Sequence, residues 1–493
     1  MKRISLLVLT FMIVFPAIGQ EINRTRSCRP LLSEIDLSKH AARRASALTG
    51  TYRATGNNPY IGDRHQLVVL AEFKDQAFKG DSAQTMSQWG RILNTRYLSE
   101  DSFYGSVHDY FYDQSYGQFD LSFDLYYAVV DSMARYRSTI TSDENSKNLV
   151  RDVLNVIGGK VSDWAPYDWD GDGYVDQLLI IYAGKGQSDG GGSNTIWPHQ
   201  WWLSEYNSGS AITVSSGGKD YLIDSHCCVQ ELDGRGTYGS FGTLCHEFSH
   251  CLGLPDFYEG STIYVGSWDL MDNGLYNGNG FRPCGYSAFE RAFMGWLTPV
   301  ELNRSQTVMG LPSLITQPVA YIIRNEGKAD EYYMVENRQK AGWDEKLPGS
   351  GIVVFHVDYD ETVFKYGQPN TSNGQHYLII PANNKPTVSG TNQSGWAYPN
   401  NGNNSLTNTS TPAAELFNLN KDSTLLMNKP MTEMAVIKGM AQFKFQNTFT
   451  GIVPVNEAPS NDGGWFTIDG RQLLEAPSGK GLYIHEGRVI LIR

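Results

Sequence analysis

Residues 246–250 read His-Glu-Phe-Ser-His, two imidazoles four positions apart with a carboxylate beside the first. On an α-helix, with about 100° of turn per residue, positions i and i+4 share a face. His246 and His250 can therefore reach one metal ion. Glu247, about 100° further round than His246, stays out of the ligand pair and can act as general base on a water molecule. Zinc in a catalytic site needs a third protein ligand and an open fourth position. Gly253 can end the helix in a left-handed turn, Pro255 bars its continuation, and the returning chain brings Asp256 ten residues after His246. Carboxylate is a legitimate zinc ligand. The five-residue pattern alone is expected by chance in on the order of one such chain in a hundred; the Gly and Asp at their offsets make coincidence rarer. The competing reading is a pair of solvated histidines on a helix surface.

The elements that must hold these residues can be read from periodicity. With Phe241 at zero, Leu244, Cys245, Phe248 and Leu252 fall within about 60° and form an apolar face, while His246 and His250 lie near 140° and 180°. Upstream, "HQLVVLAEFKD" (65–75) predicts a strand, "SVHDYFYDQSYGQFDL" an amphipathic helix ending near Gly117, and "QLLIIYAG" (177–184) a buried strand. "SKNLVRDVLNVIGG" predicts a helix with Leu149, Val150, Val153, Leu154 and Ile157 on one face and Gly158 as its stop. Strands and helices alternate to about residue 300, the pattern of a mixed α/β (α+β) catalytic domain. Beyond it, short apolar runs such as "EYYMVENRQ" and "SGIVVFHVDYD" lie between Gly, Pro and Asn, which predicts all-β structure. The expected organisation is a signal peptide over 1–20, a propeptide or linker over 21–60, the catalytic domain over 61–300, a β-rich domain over 301–450 and a small C-terminal β module over 451–493.

A second acidic cluster precedes the strand at 177. In "YDWDGDGYVDQ", Asp168, Asp170, Asp172 and Asp176 take positions 1, 3, 5 and 9 of an EF-hand-like loop, with Gly173 at position 6. Such a concentration of carboxylates suits Ca2+ as a structural ion, although position 12 is Leu179 and the element that follows is a strand; the alternative is a solvated turn. His199 and His226 read as hydrogen-bonded structural histidines or as lining of the cleft, and His356 as structural.

The whole chain narrows the setting. It has 493 residues, too many for one ordinary core. Lys and Arg number 40 against 52 Asp and Glu, with no basic stripe, so nucleic acid is not an expected partner. A basic start at Lys2 and Arg3, an apolar run over 4–15 and small residues at Ala17 and Gly19 form a secretory signal, which implies a secreted, cell-surface or periplasmic protein. No other stretch is long and apolar enough to span a bilayer, and a monomer is the default. Export makes disulfides possible among the six cysteines. Cys245 and Cys251 are too far apart along one helix to bond, and Cys227 and Cys228 point to opposite sides of a strand, so each is open to another partner. Cys28 has two readings: a disulfide partner, or a propeptide thiolate that occupies the open position of zinc and holds a zymogen inactive.

Taken with its surroundings, "HEFSHCLGLPDFY" resembles the motif of the immune inhibitor A type metallopeptidases, family M6, including an aspartate in place of a third histidine. "YDWDGDGYVDQLLIIYAG", "IWPHQ", "GYSAFERAFMGWLTP" and "ENRQKAGWDEKLPGSGIVVFHVD" extend the resemblance over about residues 65–360. It implies a zincin or metzincin-like fold and a secreted zinc endopeptidase acting on proteins or peptides, with His246, His250 and Asp256 on zinc and Glu247 as base. In "GSWDLMDNGLYNG", Met271 fits the turn that metzincin-type peptidases carry beneath the metal, and Tyr276 can donate to an oxyanion or be an ordinary loop residue. Cys245 and Cys251 depart from the family's pattern. The last 40 or so residues resemble C-terminal modules of exported Bacteroidetes proteins. A different class of function, a secreted adhesin or glycan-binding protein with a relict metal site, competes with the peptidase and predicts metal binding without hydrolysis.

Overall fold

The computed structural model describes residues 58–446, apart from 140, 141, 207, 367 and 388–390, together with 464–467, 472, 473, 475–485 and 488–492. The expected signal peptide, Cys28 and the segment around it lie outside the described residues. The chain falls into two units, Met1–Asn447 and Thr448–Arg493. In the second, four short strands pair antiparallel.

The first unit is built on a five-stranded mixed sheet in the order β2-β1-β3-β5-β4. Its strands are β1 (Gly62–Phe73), β2 (Phe119–Val130), β3 (Leu178–Lys185), β4 (His199–Trp202) and β5 (Ser225–Leu232). β1, β2, β3 and β5 run parallel to their neighbours, and only the edge strand β4 is antiparallel, against β5. The unbroken apolar run Leu67–Ala71 is wholly buried, as a parallel strand covered on both faces must be. Parallel neighbours require crossovers. Helices α1 (Ser82–Asn94) and α2 (Val107–Gln114) fill the first, and α3 (Ser146–Ile157) the second. α1 and α2 start at capping boxes, Asp81 with Gln84 and Ser106 with Asp109. α3 buries the five residues that its period predicts. It stops at Gly158 as expected, but Gly158 keeps right-handed φ (−54°) and donates to Leu154 O, so the chain leaves through a further turn.

Helix α4 (Phe241–Cys251) packs on β5 and carries the two motif histidines. Every residue from Phe241 to His250 is buried. The wheel correctly separates the apolar face from the histidine face, but the histidine face is also covered by protein. Segments from beyond residue 300 pack on the apolar face of α4 and on the loop after it. There a second sheet has the order β10-β9-β8-β7-β6, with β6 (Val300–Glu301), β7 (Tyr321–Arg324), β8 (Glu331–Arg338), β9 (Gly351–Asp358) and β10 (Tyr377–Ile379). Trp343 stacks on Phe241 with ring planes 5° apart, and Tyr377 stacks on Phe257 at 4.0 Å. This half is mainly strand, yet the all-β expectation needs correcting at one place: a short helix, Glu361–Tyr366, follows β9. Asp360 accepts from Val363 N at 3.0 Å, a side-chain cap that starts the turn, and Phe364 is anchored in the core.

No disulfide joins two of the described cysteines, and Cys228, Cys245 and Cys284 are buried thiols. Each is enclosed by apolar neighbours in the main core and behaves as a small hydrophobe. Among the described residues no helix is long and apolar enough to cross a membrane.

Candidate metal centre

The chain turns at Gly253, which takes φ +100°, a conformation that favours glycine. Gly253 N–H donates to His250 O and Leu254 N–H to Ser249 O, closing the helix. The reversal carries Asp256 back over α4. Its Oδ1 stands 3.2 Å from His246 Nε2 and 3.3 Å from His250 Nε2. The two rings are 4.8 Å apart and nearly perpendicular, 81° between planes. His246, His250, Asp256 and Glu247 are all at most 2% exposed. His246, Glu247 and His250 present atoms close enough to share an ion.

The far nitrogen of each imidazole is already engaged. His246 Nδ1 lies 3.0 Å from Leu270 O and His250 Nδ1 2.8 Å from Leu254 O. A carbonyl only accepts, so both Nδ1 atoms carry a proton, which leaves both Nε2 atoms facing Asp256, to donate to its carboxylate when the rings are charged or to offer a lone pair to an ion when they are neutral. Burial opposes a charge on Asp256, but the His250 and His246 imidazoles outweigh it and hold its carboxyl well below the usual range. Two imidazole nitrogens and a carboxylate oxygen converging at hydrogen-bond distances are a donor set that fits zinc.

Met271 is wholly buried in the turn after the site. The turn is tied to the ligand loop, since Phe257 N–H donates to Met271 O at 2.9 Å. Asp269 Oδ1 accepts from Met271 N, and Asp272 Oδ2 accepts from the N–H groups of Tyr264, Val265 and Gly266, each at 2.9 Å. Tyr276 is half-buried against the main core in the turn that follows. Sequence reasoning passed over Tyr258, whose ring stacks on His246 with planes 29° apart and centroids at 6.2 Å. Its only signal was its place two residues beyond Asp256.

In the acidic loop, Asp168, Asp170 and Asp176 bring their carboxylates together, while Asp172 accepts from Tyr174 N–H at 2.8 Å and is not in that cluster. Asp168 is almost buried, and its Oδ2 accepts from Gly173 N–H at 3.0 Å. Leu179 is a core residue of β3 and adds no carboxylate. His356 bonds Glu331 Oε1 at 2.8 Å, a structural contact as expected. His199 and His226 lie on β4 and β5, on the sheet face away from α4.

A mixed sheet thus backs a buried helix that presents two histidines to a returning aspartate. Residues 92–297, somewhat under half of the chain, match the family described as immune inhibitor A peptidase M6, catalytic domain. The chain is 28% identical over 180 residues to the pre-pro-metalloprotease PrtV of two Vibrio cholerae O1 strains, covering 31% of this chain and 19% of PrtV. It is 26% identical over 260 residues to immune inhibitor A of Bacillus thuringiensis subsp. alesti, covering 43% of this chain and 36% of that protein. The chain thus spans between about a fifth and about a third of the length of these relatives.

Proposed function

We propose that the protein is a secreted zinc-dependent endopeptidase in which His246, His250 and Asp256 hold the metal and Glu247 is the general base. The observation that carries this reading is the convergence of Asp256 Oδ1 on both Nε2 atoms at 3.2 and 3.3 Å. Zinc, when bound, supplies Lewis acidity that polarises a peptide carbonyl and acidifies water. The chain's own residues do the rest. The Leu270 and Leu254 carbonyls lock the ligand tautomers, and Tyr258 packs against the His246 ring and fixes its plane. Glu247, one helical step from His246 and buried with it, accepts the proton of the attacking water on its carboxylate and passes it to the leaving amine nitrogen. Tyr276 is the proposed donor to the oxyanion, and the sheet-and-helix unit with Met271 in its turn supports a metzincin-like fold. Ca2+ on Asp168, Asp170 and Asp176 would pin the loop before β3, and Cys28 is either a disulfide partner or a thiolate that holds a zymogen latent.

The reading is tested by casein cleavage with the purified chain. Glu247→Gln is expected to keep its zinc and lose about 10²–10⁴-fold or more in kcat, and 1,10-phenanthroline is expected to abolish the remaining wild-type activity. Undiminished turnover in Glu247→Gln would remove Glu247 from the mechanism. Zinc binding without hydrolysis, even after residues 21–60 are deleted, would favour the adhesin reading.

A further inference from the structure

A hairpin from another part of the chain reaches the acidic loop at 168–176. Its strands, Ile212–Ser216 and Lys219–Ile223, are joined through Gly217 and Gly218, whose φ values of +59° and +78° favour glycine. The hairpin is docked at two places. Leu222 N–H donates to Gly173 O at 2.9 Å, where Tyr174–Val175 pairs in parallel with Leu222 and Ile223. Ser216 Oγ accepts from Trp164 N–H, also at 2.9 Å. Lys219 lies between these anchors and is carried to the loop, its Nζ 3.5 Å from Asp168 Oδ2.

The lysine satisfies only part of what Asp168 presents. The Asp168 side chain is 3% exposed, whereas that of Lys219 is 55% exposed. Asp168 Oδ2 receives the Gly173 N–H at 3.0 Å as well as the ammonium. Its Oδ1 is buried and has no hydrogen-bond partner among the described residues. One carboxylate oxygen from each of Asp168, Asp170 and Asp176 lies within 4.8 Å of the others. A buried acceptor without a partner costs free energy, and three converging carboxylates repel one another. Lys219 offsets one charge of the three and leaves Oδ1 unsatisfied. A divalent ion that takes oxygen ligands answers both demands.

We propose that Lys219 is the built-in counter-cation of this loop and that a divalent ion of the Ca2+ class competes with it, driving the ammonium off Asp168 as it binds. The inference rests on the reading of the loop as a Ca2+ site and adds what regulates that site. Lys219 has a second position within reach. Its Nζ already lies 4.5 Å from the centre of the Tyr221 ring, so rotation of the outer side-chain bonds keeps the charge over an aromatic face and in water. The loop thus keeps a cation in both states, the lysine at low Ca2+ and the ion at high Ca2+. The cost of displacing the lysine is set against the affinity of the ion. A divalent ion about 6 Å from a like single charge in a water-like dielectric binds roughly tenfold more weakly than without it.

The test is calorimetric titration of the full chain with Ca2+, in the wild type and in Lys219→Met, with Asp168→Asn as the variant that must lose the heat of this site. Lys219→Met is expected to bind Ca2+ about tenfold more tightly, and Lys219→Arg, which keeps the charge, to bind like the wild type. Thermal melts give a second reading whose sign depends on the ion. In EGTA, Lys219→Met is expected to melt below the wild type, because Asp168 has lost its counter-charge. At saturating Ca2+ it is expected to melt at or above the wild type. Equal or weaker Ca2+ binding in Lys219→Met overturns the proposal and leaves the Ca2+ site standing. No Ca2+ binding in either chain overturns the reading of the loop as a Ca2+ site, and the proposal with it.

Discussion

Asp269 and Glu290 place two wholly buried carboxyls beside the Met271 turn, close enough to raise one another. Asp269 also accepts from the hydroxyl of Tyr377 at 3.1 Å, and the charges of Asp272 and Arg338 act on it in opposite directions. Burial pushes Asp269 up to about 7 and Glu290 well above its ordinary value. The sign follows directly. Folded protein keeps protons that the unfolded chain releases above about pH 4, so stability falls as pH rises from about 4 through about 7. Asp269→Asn retains an acceptor for Met271 N and removes the proton demand. It is expected to flatten the slope of unfolding free energy in that window by up to about 1.4 kcal/mol per pH unit, measured by urea melts at a series of pH values. An unchanged slope would show that the pair does not titrate there. At this scale the sequence was legible where the geometry is local: His246, Glu247 and His250 lie within one helical stretch. Tyr258 and the Asp269–Glu290 pair were not legible, because their partners are set by the returning chain and by α5 (Ala288–Phe293).

Helix α4 and the turn after Met271 are pressed together at Gly242, where an added Cβ would lie 2.0 Å from Leu275 O. Backbone cannot yield as a flexible side chain does. Gly242→Ala is expected to destabilise by about 1–3 kcal/mol or more and to weaken metal retention, read from thermal melts with and without zinc. A variant as stable as wild type would mean that helix and turn separate easily. The acidic loop is tested in the same way. If it binds Ca2+, saturation at about 100-fold above Kd adds about 2.7 kcal/mol. EGTA is then expected to lower Tm, Ca2+ to restore it, and Asp168→Asn to remove the response. Indifference of the wild type to both would leave a plain turn. Periodicity found the long elements, since α3 buries its predicted face and β1 and β3 fall on their apolar runs. It missed the helix at Glu361–Tyr366, which is too short to show a period and owes its start to Asp360.

At the scale of the molecule, residues beyond 300 belong to the core that encloses α4. Trp343 covers Phe241 and hydrogen-bonds Asp113, and Arg338 is wholly buried against Asp344 and Glu336. Ending the chain at residue 300 would expose Phe241 and Phe257 and unpair buried groups. Such a chain is expected not to fold cooperatively, whereas one ending at Asn447, the boundary of the first unit, is expected to keep its melting transition and its casein cleavage. Circular dichroism melts and the cleavage assay on both truncations decide; a folded, active chain ending at residue 300 would refute the shared core.

What the sequence determined by itself is what neighbours in the chain impose on one another. The i, i+4 histidines, the glutamate between them, the glycine that reverses the chain and the apolar periods of strands and helices are all of this kind. Tertiary structure alone decided the rest. It set Asp256 Oδ1 against both Nε2 atoms, kept Cys228, Cys245 and Cys284 as buried thiols, and gathered His199, His226 and Cys228 on one sheet face. It also brought Tyr377 to Asp269 across 108 residues of chain. The reason is physical: local spacing fixes which side chains share a face, but only the pairing of strands and the packing of distant segments fixes what that face meets.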